Sequence, residues 1–463
     1  MKIKKLISLL TTAVIATGAF ASNSFAYYDG YDSTHKIDGI TYMLNENVLY
    51  GSVDIPHSAT VYEIPNIQKV EIPEKVTFDG VEYTVTEMEL DGKYYVTAGS
   101  RYTDKNKYTK VEEIVLPQTI YDIGNISNLP SLTKMNIPKN AMIDREVAYV
   151  DEYPAKYSTK YCDEDFGYFY EVFYFTGCPK LTLSVDSNNP YYSYKNDMLL
   201  SKDGKKLYMS FNHSVDVTIP DEVVDIKDYG GFGFSHVKRV HLPYTLKYLN
   251  GFGNSKITDI ALPDGLKNIG LEAFQKTKLT KIDIPDSVTD ISGDAFSYSN
   301  LRTINFGKNL SVIGFRAFKN CKNLKSVTIP KNVENIEQGA FRKCKNLKKV
   351  KILSNKVECI EPRAFDYCVN LKSVTINGVE EIYASSFDNC KKLSKITINN
   401  KKKAPKIWGA GSFKNTKDGI KFIVKNMKVA KGLKKQLKDS NSKLKNAKIM
   451  VGKKVVYTIN AKG

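Results

Sequence analysis

The sequence predicts a repeat solenoid built mainly of β-strands, with one short strand in every repeat of about 23 residues. The first observation behind this prediction is a phrase that recurs with steps of 22, 23, 23, 24 and 22 residues. The second is that apolar and polar residues alternate at the start of each copy. A period in this range is typical of stacked repeats. The copies begin at Leu279, Leu301, Leu324, Leu347, Leu371 and Leu393.

The spacing inside one repeat explains why each copy supplies a strand. Val327 and Ile329 are two residues apart and share one face of a strand, whereas Ser326 and Thr328 share the other. Pro330 has no N–H to donate and is therefore suited to the end of the strand. About 23 residues cannot offset their own chain entropy, so we expect each repeat to bury its apolar edge on both neighbours.

The remaining positions of the phrase carry a family resemblance. From Leu324 to Cys344 the chain has the form LxxVxIPxxVxxIxxxAFxxC, which resembles the BspA-like class of leucine-rich repeats. The resemblance implies a secreted or surface-exposed microbial protein, and for some members adhesion to host matrix or to other cells. With weaker copies, it extends over about two thirds of the chain. These copies begin at Val111, Leu132, Val215, Val237, Ile257 and Leu393.

Residues 1–26 are predicted to be a secretory signal peptide. An apolar run from Leu6 to Phe20 follows three lysines and precedes a small-x-small cleavage site that ends at Ala26. The alternative, a membrane-spanning helix, is disfavoured because the run is short and no stop-transfer segment follows. The C-terminus has no sorting motif and no hydrophobic tail, and we expect no transmembrane anchor. We therefore expect a secreted protein, extracellular or held non-covalently at the cell wall.

Residues 27–110 are predicted to form a β-rich N-terminal cap with an inserted loop at 89–110. Apolar and polar residues alternate from Ile40 to Leu44 and again around the turn signal Asp79-Gly80. A solenoid end exposes the unpaired backbone N–H and C=O groups of its last strand, and a cap would cover them. The solenoid itself is predicted to span residues 111–416, with an extra hairpin around Asp203-Gly204.

An aromatic insert is predicted at about residues 144–170. Leu132 and Leu181 are 49 residues apart, so about 26 residues exceed the length of one repeat. Amphipathic rings mixed with acidic residues are typical of recognition surfaces, although such rings could also pack the insert onto the solenoid flank. The candidate partner-binding residues are Tyr149, Tyr153, Tyr157, Tyr161, Phe166, Tyr168 and Tyr170.

Positive charge is concentrated at the C-terminus. Residues 401–463 contain 19 Lys against two Asp, a formal +17, and residues 1–26 contribute +3. Residues 27–400 therefore carry −2 of the total of +18. Residues 417–463 are predicted to form a small basic α+β cap, with a strand, an amphipathic helix over Val429–Leu437 and a hairpin around Gly452.

The basic cap is a candidate site for an anionic wall polymer. Lys is a compact, strongly hydrated point charge, which suits diffuse attraction to repeated phosphates and does not select a specific nucleic acid. The alternative is a lysine-rich solvated face that aids solubility. The candidate polyanion-binding residues are Lys401, Lys402, Lys403, Lys434, Lys435, Lys438, Lys453 and Lys454.

The chain lacks sequence signals for catalysis, metal binding or a cofactor. None of its five His residues has a spacing that places two of them on one helix face with an acid between them. No GxSxG or Walker sequence occurs. The predicted exposed strand positions are mainly Lys, Ser, Thr and Asn, so an enzyme is the weaker interpretation. Examples are Lys325, Lys349, Lys351, Thr375 and Lys395.

The seven cysteines allow two interpretations. A secreted chain with this number could hold a disulfide framework. Five of them, however, stand three residues after a Phe and three before a Leu, which predicts one recurrent interior position where parallel side chains pair with difficulty. We interpret these five as small buried hydrophobes and expect Cys162 to be exposed. The five are Cys178, Cys321, Cys344, Cys368 and Cys390.

Taken together, these features favour a secreted, non-catalytic binding protein of a bacterial cell surface. The solenoid loops would bind a macromolecular ligand, such as a host matrix protein or a cell-surface component, and the basic cap would hold the protein electrostatically. Two alternatives stay open: a structural wall or biofilm component without a specific receptor, and a secreted hydrolase or toxin accessory factor.

Overall fold

The chain folds into a mainly β solenoid, which confirms the predicted fold class. The predicted signal peptide, the aromatic insert and Cys162 lie outside the residues that the structure describes. The computed structural model describes residues 34–50, 53–90, 107–124, 126, 128–143, 175, 178–227, 236–408, 411–439 and 444–459.

One row of strands, the first ladder, forms at the LxxVxIP position of the repeats. The row consists of four hydrogen-bonded sheets, and within each sheet neighbouring strands pair in parallel and in register. Val327 thus lies beside Val350, and Val350 beside Val374. The apolar residues of these strands point inward, as the alternation predicted. The strands are Lys69–Glu71, Glu113–Val115, Lys134–Ile137, Thr182–Val185, Asp216–Thr218, Arg239–His241, Lys281–Asp283, Thr303–Asn305, Ser326–Ile329, Lys349–Ile352, Ser373–Ile376, Lys395–Ile398, Lys421–Val424 and Ala447–Val451.

A second ladder of two-residue strands forms at the VxxI position. The second residue of each is buried and adds to the same core. Two residues are enough here because a strand inside the row is paired on both sides, as Val312–Ile313 is by Asp290–Ile291 and Asn335–Ile336. The strands are Asp122–Ile123, Met142–Ile143, Asp225–Ile226, Tyr248–Leu249, Asn268–Ile269, Asp290–Ile291, Val312–Ile313, Asn335–Ile336, Cys359–Ile360, Glu381–Ile382 and Lys406–Ile407.

The N-terminal strands join the solenoid through a shared sheet. Val81–Met88 pairs in parallel with Asp122–Ile123 of the second ladder. The predicted hairpin at Asp79-Gly80 is present, and both residues have positive φ, 48° and 79°. Lys69–Glu71 already belongs to the first ladder, so the parallel pairing begins before residue 111. The assignment of these strands as a cap stays a prediction. They are Thr34–Ile37, Ile40–Tyr50, Val53–Glu63, Lys75–Phe78 and Val81–Met88.

An antiparallel three-strand unit leads into the C-terminal half of the second ladder. It consists of Tyr192–Lys195, Met198–Ser201 and Lys206–Ser210, and the last strand pairs in parallel with Asp225–Ile226. The hairpin predicted around Asp203-Gly204 is therefore confirmed. Gly204 has a φ of 74°, a value that glycine adopts without a steric penalty.

A continuous stack of phenylalanine rings runs through the core. Successive ring centroids are 5.2 to 6.0 Å apart, with interplanar angles of 2° to 17°. Phe422 ends the stack: its ring meets that of Phe413 at 86° and 5.5 Å. The stacked rings are Phe252, Phe274, Phe296, Phe318, Phe341, Phe365, Phe387 and Phe413.

The turns that carry these rings are joined by backbone hydrogen bonds between repeats. The N–H of Phe296 donates to the carbonyl of Ala317, and the N–H of Tyr298 donates to that of Lys319, both at 2.8 Å. The residues two before and two after the ring, Asp294 and Tyr298, have positive φ, 49° and 61°. These left-handed residues turn successive N–H groups toward the next repeat. The buried N–H groups of each turn therefore donate to carbonyl groups of that repeat.

The recurrent cysteines occupy one buried column, which confirms their predicted interior position. Each thiol lies near a backbone carbonyl of the preceding repeat, for example Cys344 Sγ at 3.1 Å from the oxygen of Phe318. Burial raises the pKa of Cys321 to about 12. Cys359 is half-buried, with its Sγ 3.2 Å from Glu361 Oε1. The six cysteines in the described residues are unpaired.

Because this cysteine column is buried, we predict that its thiols are protected from reaction with reagents in solution. In the folded protein we expect few cysteines to react with a thiol reagent, because the thiolate form is strongly disfavoured in the core. After unfolding without reductant, most of the seven should react. Both numbers can be measured by a spectrophotometric thiol titration. A single reactive thiol in the unfolded, unreduced protein would instead reveal three disulfides.

The C-terminal elements extend both the sheet and the core. Lys421–Val424 and Ala447–Val451 continue the first ladder in parallel, and Lys454–Ile459 turns back antiparallel. The helix Met427–Asp439 lies between Lys421–Val424 and Ala447–Val451 in the chain. These elements lie where the strand, helix and hairpin were expected. Their role as a cap stays a prediction.

Candidate functional site

The C-terminal helix Met427–Asp439 is held by its cap and by its apolar face. Asn426 precedes it, and its Oδ1 accepts the N–H of Val429 at 2.9 Å, as at a favourable N-cap. The side chains at helical spacing on one face are almost fully buried against the end of the solenoid. The helix therefore has a fixed orientation. The buried residues are Val429, Ala430, Leu433 and Leu437.

The opposite face of this helix is basic and exposed. Lys428, Lys431, Lys435 and Lys438 are three or four residues apart and share that face; we call them the helix lysine face. Among the described residues, no carboxylate forms an ion pair with any of the four. Sequence reasoning selected Lys435 and Lys438 but missed Lys428 and Lys431, although the helical spacing of all four is visible in the sequence.

The bend that follows the strand Lys395–Ile398 contains three of the candidate lysines, Lys401, Lys402 and Lys403. The carbonyl of Lys401 accepts the side-chain amide of Asn426 at 3.1 Å, which places the bend beside the helix start. Lys403 is paired: its Nζ lies 2.8 Å from Glu380 Oε2, and this hydrogen bond raises the pKa of Lys403. Within the described part of the chain, Lys401 and Lys402 form no direct ion pair.

The other three candidate lysines lie elsewhere. Lys434 is half-buried, with its Nζ 4.4 Å from the centroid of the Tyr457 ring, so it faces the C-terminal hairpin. Lys453 and Lys454 are exposed at the turn of that hairpin, next to Gly452. The predicted polyanion site is thus divided among a bend, a helix and a hairpin tip.

A second set of lysines lies on the exposed face of the first ladder. Lys349, Lys395, Lys421 and Lys448 occupy one register position, with only Ser373 between the first two; we call them the strand lysine column. All four are exposed, and within the described part of the chain none is in an ion pair. The sequence identified Lys349 and Lys395 as exposed strand positions, but the register that aligns them follows from the fold.

A shallow groove of about 280 Å³ lies beside the start of the strands Ser326–Ile329 and Lys349–Ile352. Three cationic and two amide side chains of successive repeats line it, and no carboxylate does. We call it the basic groove. The lining residues are Arg302, Asn323, Lys325, Asn346 and Lys348.

The polar groups of the first ladder include one exposed His and Asp pair. His241 Nε2 lies 3.0 Å from Asp216 Oδ1, and Arg239 Nε donates to Asp216 Oδ2 at 2.9 Å. The Arg239 hydrogen bond holds the pKa of Asp216 below its ordinary value. Asp216 therefore forms an ion pair with Arg239 and lies within hydrogen-bond distance of His241, and its lowered pKa makes it a poor general base at neutral pH.

The remaining candidate features are placed as follows. Residues Tyr149 to Tyr170 of the predicted partner site lie outside the described residues, so this site stays a prediction. In the residues that the structure describes, no group of three or more His, Cys, Asp or Glu could hold a metal ion. Nor does any helix within that part have the length and apolar character to cross a membrane.

Comparison with known proteins identifies the repeats. Residues 204–325 and 311–431 match the BspA type leucine-rich repeat region, in 6 copies. A search of the curated proteins finds no match.

The solved structures that match the chain include the following three. A leucine-rich repeat protein from Bacteroides ovatus ATCC 8483 is 22% identical, with 91% of this chain and 100% of that chain covered and a TM-score of 0.44. A leucine-rich cell surface protein from Faecalibacterium prausnitzii A2-165 is 20% identical, with 83% and 93% covered and a TM-score of 0.34. The pneumococcal vaccine antigen PcpA is 17% identical, with 91% and 99% covered and a TM-score of 0.34.

Proposed function

Because the chain belongs to the BspA-type leucine-rich repeat family, we propose that it is a secreted, non-catalytic binding protein held electrostatically at a bacterial cell surface. In this proposal the solenoid contacts a macromolecular ligand, a host matrix protein or a cell-surface component, and the aromatic insert at 144–170 is part of the contact. The basic C-terminal region keeps the protein at the cell.

The helix lysine face is the observation that carries the retention part of the proposal. The helix needs its apolar residues to close the solenoid, but its outer face could be any soluble mixture of residues. Instead it presents four lysines in one stripe, and residues 401–463 have a formal +17. Helical neighbours of this kind are about 5–6 Å apart, within the screening length of about 8 Å at physiological salt. The four charges therefore act together on a nearby polyanion.

The composition of this surface favours a phosphate polymer of the wall over a specific nucleic acid. Residues 401–463 contain no Arg, the residue that binds planar and bidentate acceptors best. Lysines attract repeated phosphates without selecting a sequence. The expected attachment is therefore diffuse and weakens with salt.

A charge-neutral helix face tests this proposal. We expect Lys428→Gln, Lys431→Gln, Lys435→Gln and Lys438→Gln, combined in one protein, to lower salt-sensitive retention on purified cell walls. Gln keeps the helix propensity close to that of Lys, so the fold should be unchanged. Retention would be measured across a salt series, with walls before and after removal of phosphate polymers.

Substitution is preferred to truncation because Phe422 covers the end of the phenylalanine stack. A matched control replaces four exposed lysines of the solenoid, Lys180, Lys238, Lys256 and Lys278, with Gln. The proposal fails if the helix variant, the control and the unmodified protein are all retained on cell walls to the same extent. The lysines would then serve only solubility.

A further inference from the structure

The strand lysine column places lysines opposite one another on adjacent strands of the solenoid. Lys395, Lys421 and Lys448 lie directly opposite one another in three successive parallel strands. Neighbouring strands are about 4.8 Å apart, so each lysine has another at one strand spacing. With Lys349, the column extends across five strands.

Folding alone does not explain this arrangement. Like charges that face each other across strands destabilise a sheet. The same register position is occupied by Ser326, Ser373 and Thr458 elsewhere in the sheet, so the fold accepts a small hydroxyl residue there. The lysines therefore carry a repulsion that other residues would avoid, which indicates an interaction with an external anion.

The basic groove extends this positive surface toward the N-terminus. Lys348, which lines the groove, is the neighbour of Lys349 in the column. Lys325 and Arg302 add two charges, one and two repeats earlier respectively, and the amides of Asn323 and Asn346 can donate hydrogen bonds between them. The result is a line of donors and cations that runs from repeat to repeat.

We infer that the strand lysine column and the basic groove together bind one linear polyol-phosphate polymer of the cell wall, laid along the solenoid axis. The phosphodiester groups would contact the lysines and Arg302, and the two asparagines would donate to phosphate oxygens. The inference rests on the proposed wall polymer and adds a second binding surface for it.

This surface is separate from the helix lysine face. Tyr457 pairs in register with Ile449, and Lys434 of the helix lies over the Tyr457 ring. Lys448 is the neighbour of Ile449 in the strand, and successive strand side chains point to opposite faces of a sheet. The helix and the lysine column therefore lie on opposite faces of the last parallel strand.

The residue types favour a polymer without bases. Proteins that bind single-stranded nucleic acid stack bases on aromatic side chains. None of the five residues that line the basic groove is aromatic. Lysines that recur at the strand spacing also match the regularly repeated phosphates of a polymer better than the irregularly placed carboxylates of a folded acidic protein. A chain of phosphodiesters with small linkers meets both conditions.

The test compares binding of purified poly(glycerol phosphate) by full-length variants. Combined Lys348→Gln, Lys349→Gln and Lys395→Gln should weaken binding about tenfold at low salt and reduce the slope of log K against log salt by about two, since three phosphate contacts are lost. Lys139→Gln, Lys267→Gln and Lys276→Gln remove the same charge from exposed positions outside the first ladder and should leave both quantities unchanged. Thermal unfolding of both variants establishes that the solenoid is intact.

The outcomes separate this inference from the proposed function. If the strand variant behaves as the matched control does, the inference is overturned, and retention through the helix lysine face stands. If the unmodified protein is retained on walls but does not bind poly(glycerol phosphate), the polymer assignment is wrong. Tighter binding of single-stranded DNA or of a sulfated polysaccharide of equal charge would overturn it as well.

Discussion

Phe341→Ala is expected to destabilise the solenoid by about 3–5 kcal/mol, the range typical of truncating a core Phe. The Phe341 ring is fully buried between those of Phe318 and Phe365, with centroids 5.2 and 5.4 Å away. Alanine removes both ring contacts and leaves a cavity that the neighbouring repeats cannot fill, because each is tied to its own position by the ladders. Chemical denaturation would measure the loss.

The position of Phe341 adds a second expectation. In a repeat protein each repeat contacts only its neighbours, so a weakened interface can uncouple the two sides. We therefore expect a lower midpoint and a broader transition by circular dichroism. Lys325→Ala is the control, because Lys325 is exposed and should change stability little. Equal losses for the two variants would refute the inward and outward assignment of the repeat.

Asp294→Asn is expected to stabilise the protein at pH 7 by about 2–3 kcal/mol, because a shift of one pKa unit corresponds to about 1.4 kcal/mol. Asp294 is buried, and burial raises its pKa from 3.8 to about 6, against the opposing effect of Lys319 and Arg316. Asparagine has no charge to bury, and it tolerates the positive φ of 49° at this position.

The pH dependence follows from the direction of this shift. Below pH 3.8 the carboxyl is protonated in both the folded and the unfolded chain, so its burial has no ionisation cost. As the pH rises from 3.8 to about 6, the unfolded chain ionises first, and folding becomes less favourable. Above about pH 6 the carboxyl is ionised in both states, and the full cost of burying its charge opposes folding.

The measurement is the difference in unfolding free energy between Asp294→Asn and the unmodified protein at several pH values. This difference should grow from pH 4 to pH 7 and then level off. Asp264→Asn removes a carboxyl of the same kind at an exposed turn residue and provides the matched control. A flat difference for Asp294→Asn would show that this carboxyl ionises in the folded protein as it does in water.

The candidate site was predicted only in part. The excess of lysine at the C-terminus is a property of composition, so Lys435 and Lys438 could be selected from the sequence. Lys428 and Lys431 were open to the same reasoning, since an amphipathic helix places residues at these spacings on one face. Lys434 was selected for its charge, but its contact with the Tyr457 ring depends on how the hairpin folds back over the helix.

The repeat, its inward and outward residues and the buried cysteine position could be predicted from the sequence alone, because these features depend on spacing within about 23 residues. A strand alternates with period two, and stacking needs every repeat to present the same apolar edge. Local spacing is therefore sufficient to predict them.

The side-by-side placement of residues from different repeats becomes visible in the folded solenoid and could not be predicted from the sequence. Lys395, Lys421 and Lys448 are more than 20 residues apart in the chain, and unequal loops separate them. Their alignment follows from the hydrogen-bond register of the ladder, which also brings Lys348 and Arg302 to one groove. Register is set by the pairing of whole strands and by the packing of the rings beneath them, so no single repeat contains that information.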